Sequence, residues 1–183
     1  RQTSPDGSSV PTDGSIVLDT INVQGANPNS TMTPMAPYAG GQVARGGQVG
    51  MLGNRSVMNT PFSQTSYTKK LIEDQQARSL VDVMANEPSV ITGSKSGGRN
   101  DFWAFRGFPV QTYGASNSLN GLPGMAPLQF ASVDFIERGE VLRGPNPLLK
   151  GTTMNGHGAL GGTVDLVTKK VGDEPLTQLT TPF

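Results

Sequence analysis

The sequence predicts an α/β fold of the α+β kind, a small mixed β-sheet with short helices and long loops. Three observations carry this. Segments of strand and of helical character are both short, and they interleave along the chain. Glycine and proline number 24 and 14, or 38 of 183 residues. That is above ordinary usage but below the ~25–30% of a chain that is low-complexity throughout. Hydrophobic residues make up 34%, so the core is modest for the length.

Residues 1–45 read as a flexible lead. From Thr20 to Ala44 no residue is charged, and Pro28, Pro34 and Pro37 punctuate a stretch without apolar period. Such a segment buries too little surface to offset its chain entropy. One island interrupts it, Ile16-Val17-Leu18-Asp19-Thr20-Ile21-Asn22-Val23, short and rich in β-branched residues. From the residues alone two readings stay open: a recognition segment that adds to another protein's sheet edge, or a strand of this protein's own sheet.

From Gly46 the composition becomes domain-like. Residues 63–68 suit a short strand and 69–74 a first helix. Ser79 is placed to cap a second helix with Asp82 three residues on. Leu80, Val81 and Met84 share one face of it, and Pro88 stops it. Residues 90–92 read as a strand, 94–101 as a polar loop, and 102–108 as an aromatic strand broken by Gly107 and Pro109. A Pro-Gly turn at Pro123-Gly124 precedes a short apolar run to Phe130. Residues 133–142 carry a helical turn and then a strand, and 147–150 one helical turn. In the strand at 163–169, Val164 and Leu166 share one face, with Asp165 and Val167 on the other.

The charge balance excludes some functions. Fourteen basic and fourteen acidic residues cancel, leaving no electrostatic footprint for nucleic acid. The absence of cysteine excludes disulfides, thiolate metal sites and a cysteine nucleophile. No apolar stretch approaches the ~18 residues of a transmembrane helix. Gly156-His157-Gly158-Ala159-Leu160-Gly161 matches G-x-G-x-x-G, but a strand follows where a dinucleotide site needs a helix. Gly144-Pro145-Asn146-Pro147-Leu148-Leu149-Lys150-Gly151-Thr152 has the wrong order for a phosphate loop. His157 is the single histidine, no Gly-x-Ser-x-Gly elbow accompanies it, and Glu137 and Glu140 read as charged strand residues. Arg106 and Arg143 stand out, because both sit in apolar strand-like runs, where a guanidinium needs a partner or a strand end at solvent.

Several segments then line up. They are Tyr67-Thr68-Lys69-Lys70-Leu71-Ile72-Glu73-Asp74-Gln75-Gln76, Phe105-Arg106-Gly107-Phe108, Asn120-Gly121-Leu122-Pro123-Gly124, Ile136-Glu137-Arg138-Gly139-Glu140-Val141-Leu142-Arg143-Gly144-Pro145, Leu148-Leu149-Lys150-Gly151 and Gly161-Gly162-Thr163-Val164-Asp165-Leu166-Val167-Thr168-Lys169-Lys170. In this order they resemble the plug domain of TonB-dependent outer-membrane receptors, in the siderophore-receptor branch, over residues 46–180. Asp19-Thr20-Ile21-Asn22-Val23 resembles the TonB box that precedes such plugs. The chain departs from the family at Gly139, where an aliphatic residue is usual, and at Lys150, where Tyr is common. Ala159-Leu160 replaces a proline-containing turn, and Asn120 replaces a frequent Asp. Gly139 therefore predicts a weakened or bulged strand.

The resemblance implies three parts: a flexible segment over 1–45 with the box at 16–24, a plug at 46–172, and the approach to a first barrel strand at 173–183. It implies a plug that gates a 22-stranded barrel, which this chain is too short to supply. It places the protein in the outer membrane with the box facing the periplasm. The TonB C-terminal domain would be the box's partner, through Asp19, Thr20, Ile21, Asn22 and Val23. A ferric siderophore would be the transported ligand, with no cofactor and no enzymatic step. Loops 93–101, 111–118 and 124–130 would offer Lys95, Arg99, Gln111, Tyr113 and Met125 to the intact chelate, without direct iron ligation. Arg106 and Arg143 would latch onto carboxylates of the barrel wall and lack those partners in the plug alone. A self-standing exported binding module with a flexible recognition arm is the alternative reading.

Overall fold

The computed structural model describes residues 34–94, 98–110, 117–127, 129–150, 160–172 and 177. The order of elements is β1 (Val43–Ala44), β2 (Gly46–Gln48), β3 (Asn54–Ser56), β4 (Gln64–Thr68), α1 (Lys69–Asp74), α2 (Leu80–Met84), β5 (Val90–Thr92), β6 (Trp103–Phe105), β7 (Phe108–Val110), β8 (Asn117–Leu119), β9 (Leu122–Pro123), β10 (Ile136–Arg143), α3 (Pro147–Lys150) and β11 (Gly162–Thr168). Six strands form the main sheet in the order β1-β4-β10-β11-β8-β9. Two small sheets, β2-β3 and β5-β6-β7, attach to it. All ladders are antiparallel except β11 with β8.

The alternation along the central strands gives the main sheet two unlike faces. On one face Gly139 stands between Tyr67 and Leu166, and its open side looks at Val83 and Leu80 of α2. This is the apolar layer, where Val141, Val164, Leu166, Ile136, Trp103 and Phe105 are all buried. On the other face a polar row runs across four strands, Ser66, Glu140, Asp165 and Ser118 in register. The β2-β3 hairpin covers it. A Cβ at Gly47 would strike the Glu140 carboxyl and the Ser66 hydroxyl, so only glycine admits this close approach.

The helices follow from local sequence. α1 carries Lys69–Glu73 at 3.5 Å and Lys70–Asp74 at 2.9 Å on its exposed side, both at the i,i+4 spacing that favours a helix. At the start of α2, Asp82 Oδ2 accepts from the Arg78 and Ser79 amides at 2.8 and 3.1 Å. That satisfies donors a helix N-terminus leaves open. Leu80, Val81 and Met84 are buried as their spacing predicts.

Three expectations need correction. The flexible lead does not reach residue 45: Val43 and Ala44 pair with Tyr67 and Ser66, Pro37 bridges Ala44, and Arg138 Nη2 donates to the Met35 carbonyl at 2.9 Å. The aromatic run at 102–108 is not one broken strand but a hairpin, in which Phe105 faces Phe108 across the turn Arg106-Gly107. Positive φ at both turn residues, 49° and 87°, fits the two-residue turn whose twist matches the strands. The irregularity of β10 lies between Ile136 and Arg138 rather than at Gly139, which is paired on both sides.

Candidate functional site

Of the residues expected to meet a ligand, Arg99 and Met125 are described and both are exposed, Met125 at 62%. Lys95, Gln111 and Tyr113 lie outside the described residues, as do Asp19, Thr20, Ile21, Asn22 and Val23. The first ligand loop is closed at its base: the Gly93 amide donates to the Phe102 carbonyl at 2.9 Å, and the Phe102 amide to Ser94 Oγ at 2.9 Å. Ile91 and Phe102, flanking this base in the chain, are exposed, as are Phe108 at the far end of the β6-β7 hairpin and Phe130.

Loops 93–101 and 124–130 are brought together by a residue that the sequence did not single out. The Asp101 amide donates to the Gln129 carbonyl at 2.6 Å, and Asp101 Oδ2 accepts from the Ala131 amide at 3.1 Å. Burial pushes the Asp101 carboxyl above its usual range, the Ala131 amide opposes this, and the charge of Asp82 adds to it. A carboxylate ending a polar loop reads in sequence as solvated, which is why Asp101 was missed.

Arg143 and Arg106 end up in different settings. The Arg143 guanidinium lies against Glu87, donating from Nε to Oε1 at 2.7 Å and from Nη2 to Oε2 at 2.6 Å. It also donates to Ser63 Oγ at 2.8 Å and Thr65 Oγ1 at 2.5 Å. Glu87 accepts further bonds from Ser89 Oγ and Tyr67 Oη, at 2.9 and 3.2 Å. Arg143 thus has a carboxylate partner within the plug itself, supplied by the turn after α2. Burial pushes the Glu87 carboxyl up, but the Arg143 and Ser89 hydrogen bonds and the Arg143 charge outweigh it, so the group titrates below its usual range. Burial raises the Tyr67 phenol well above its ordinary range, and the Glu87 charge adds to this. Arg106, in contrast, is exposed at the tip of the β6-β7 turn and forms no ion pair among the described residues.

The polar face of the sheet adds a buried charged layer. Glu140 Oε2 accepts from the Gln48 amide at 2.6 Å. Asp165 Oδ1 accepts from Ser118 Oγ at 2.6 Å and from the Gly121 amide at 2.9 Å. Arg138, 6% exposed, has its pKa pulled down by burial, with Glu140 and Glu137 opposing. Among the described residues no three or more His, Cys, Asp or Glu side chains converge as a metal site. None of their helices is long and apolar enough to cross a membrane, which says nothing of a barrel built from strands.

Against this geometry the comparisons with known proteins are direct. The family model described as the TonB-dependent Receptor Plug Domain matches residues 56–163. The ferrichrome receptor FcuA of Yersinia enterocolitica is 38% identical over 170 residues, 90% of this chain and 22% of that protein. The ferric-pyoverdine BN7/BN8 receptor of Pseudomonas putida is 24% identical over 170 residues, 91% of this chain and 19% of its own length. Among solved structures, BauA, the ferric preacinetobactin receptor of Acinetobacter baumannii, superposes with a TM-score of 0.66 at 43% identity, over 75% of this chain and 20% of that one. The chain therefore spans about a fifth of the length of the curated relatives it matches.

Proposed function

The chain belongs to the TonB-dependent receptor plug family, and from that premise we propose that it gates an outer-membrane barrel, helps bind a ferric siderophore and couples to TonB for energised uptake. The observation that carries this reading is the family match over residues 56–163, together with relatives named as ferrichrome and ferric-pyoverdine receptors. The six-stranded sheet would act as a stopper, with a buried layer on each face.

The parts divide as follows. Lys95, Arg99, Gln111, Tyr113 and Met125 would contact the intact chelate from loops carried on the sheet scaffold. Cations with aromatic and amide groups suit an anionic or neutral iron complex, and no ligand cluster for bare iron competes with this among the described residues. Asp19, Thr20, Ile21, Asn22 and Val23 would pair as an added strand with the TonB C-terminal domain. Main-chain hydrogen bonds would give affinity, and alternate side chains specificity. Arg106 would reach a carboxylate of the surrounding barrel.

The test is a titration of the chain with the periplasmic C-terminal domain of TonB, followed on backbone amides by NMR. Changes confined to residues 16–24, weakened by Ile21→Pro through loss of one amide donor, are expected. Binding unchanged in Ile21→Pro would remove the box assignment.

A further inference from the structure

We propose that Asp101 is a positioning residue that joins the two candidate ligand loops, 93–101 and 124–130, into one body anchored on α2. The inference rests on the reading of those loops as ligand loops, and it adds the device that sets their relative position.

The joint is a short chain of hydrogen bonds. The Leu80 amide, in the first turn of α2, donates to the Ala131 carbonyl at 3.1 Å, and Ser79 and Ser132 form a bridge beside it. The Ala131 amide donates to Asp101 Oδ2, and the Asp101 amide to the Gln129 carbonyl. The next residue, Phe102, closes the base of the first loop through Gly93 and Ser94. Within this relay from α2 to the first loop, Asp101 makes the crossing twice, by its amide to the Gln129 carbonyl and by its carboxylate to the Ala131 amide just past the second loop. A substitution there removes the carboxylate bond, leaves the main-chain bond to Gln129 as the single remaining tie in this relay, and keeps the backbone bonds of each loop in place.

The chemistry of the joint is unusual for a simple brace. Asp101 is 2% exposed, and among the described residues its Oδ1 has no hydrogen-bond partner. A neutral amide would make the same bond to Ala131 without burying a charge. Among the described residues, the charge that bears on Asp101 is that of Asp82 of α2, and it repels. The carboxyl is consequently easier to bury protonated. A carboxyl raised in the folded state binds more protons there than when released, so its contribution falls as pH rises from the ordinary carboxylate value through the raised one. The joint should be tighter in mild acid than at neutral pH.

Hydrogen exchange on the full chain tests this, with rates corrected for intrinsic pH dependence. Asp101→Ala is expected to speed exchange about 10- to 100-fold at amides of both loops together, the Asp101-position and Ala131 amides among them. Amides of β10 should be unchanged. Asp101→Asn keeps an acceptor for Ala131, so it should restore protection and abolish its pH dependence. Loosening of one loop only, or no loosening, overturns the proposal, as does an Asn variant that keeps the wild-type pH profile. Exchange reads the joint whether or not the loops hold a chelate, so a failed joint leaves the plug reading standing, and a failed TonB titration leaves the joint standing.

Discussion

Arg143 and Glu87, 56 positions apart in the chain, meet in a two-pronged ion pair with bonds of 2.7 and 2.6 Å. The Arg143 side chain is 17% exposed and that of Glu87 fully buried. The pair ties the end of the central strand β10 to the turn after α2, and Ser63 and Thr65 bring in β4. Forked geometry is what guanidinium and carboxylate planes favour, and the extra hydroxyl partners satisfy donors that burial would otherwise leave open.

Cutting this pair from one side should be costly, because the remaining charge stays buried. Glu87→Ala and Arg143→Ala are each expected to lower unfolding free energy by about 3–5 kcal/mol, read as a shift in urea midpoint. Glu87→Gln keeps one acceptor oxygen for the guanidinium and the side-chain volume, and should cost less than Glu87→Ala. Equal and small effects for all three would show that the pair contributes little.

The same pair sets an acid limit. Glu87 is held below its ordinary value of 4.5 in the folded state. A lowered carboxyl binds fewer protons folded than unfolded, so its contribution is complete above the ordinary value and is lost as pH falls through the lowered one. Melting temperature should therefore drop with pH below about 4.5, and Glu87→Gln should flatten part of that slope. Parallel pH profiles for the variant and the parent would refute the assignment.

Local pattern made much of the fold legible. The helix at Lys69–Asp74 is predicted to the residue, because two i,i+4 charge pairs and Leu71-Ile72 define it without distant help. The strand at 162–168 was legible from β-branched content and alternation, within a residue at each end, and the strand after the helical turn at 133 ends one residue past where it was read. Residues 34–56 were not. Gly46-Gly47 looks like loop because it lacks side chains, yet that lack lets β2 lie against Glu140 and Ser66, which follow far later in the chain. The partner of Arg143 was hidden for a similar reason, since strand pattern shows that an arginine needs a carboxylate but not which one. Asp101 carries no pattern of its own; only the approach of two loops makes it a joint.

Two glycines should respond in opposite directions. Gly139 sits mid-strand without positive φ, and an added Cβ would rest 3.8 Å from Val83 and 3.9 Å from Leu80, ordinary contact. Gly139→Ala should raise stability by about 0.5–1 kcal/mol by lowering the entropy of the unfolded chain and filling the apolar layer. Gly50 has φ of 51° and its Cβ would collide with the Leu149 carbonyl backbone. Gly50→Ala should destabilise by more than the Gly139 change stabilises, and chemical denaturation of the two variants side by side checks both signs. A destabilised Gly139→Ala would mean that the α2 contact is tighter than its spacing indicates.

Arg106 offers a test in which stability and role separate. It holds φ of 49° at the first position of its two-residue turn, a conformation that costs a side chain such as arginine roughly 1–2 kcal/mol and that Asn accepts readily. Its exposed guanidinium has no ion-pair partner among the described residues to offset that strain, and backbone strain of this kind persists where function retains it. Arg106→Asn should therefore raise the melting temperature of this chain taken alone. Within the complete receptor, where the arginine would reach a carboxylate of the barrel wall, the same substitution should lower the melting temperature of the plug and speed hydrogen exchange along β6 and β7. A stabilising effect in both settings would show that Arg106 makes no latch, and the strain at this turn would then have no counterpart in the barrel.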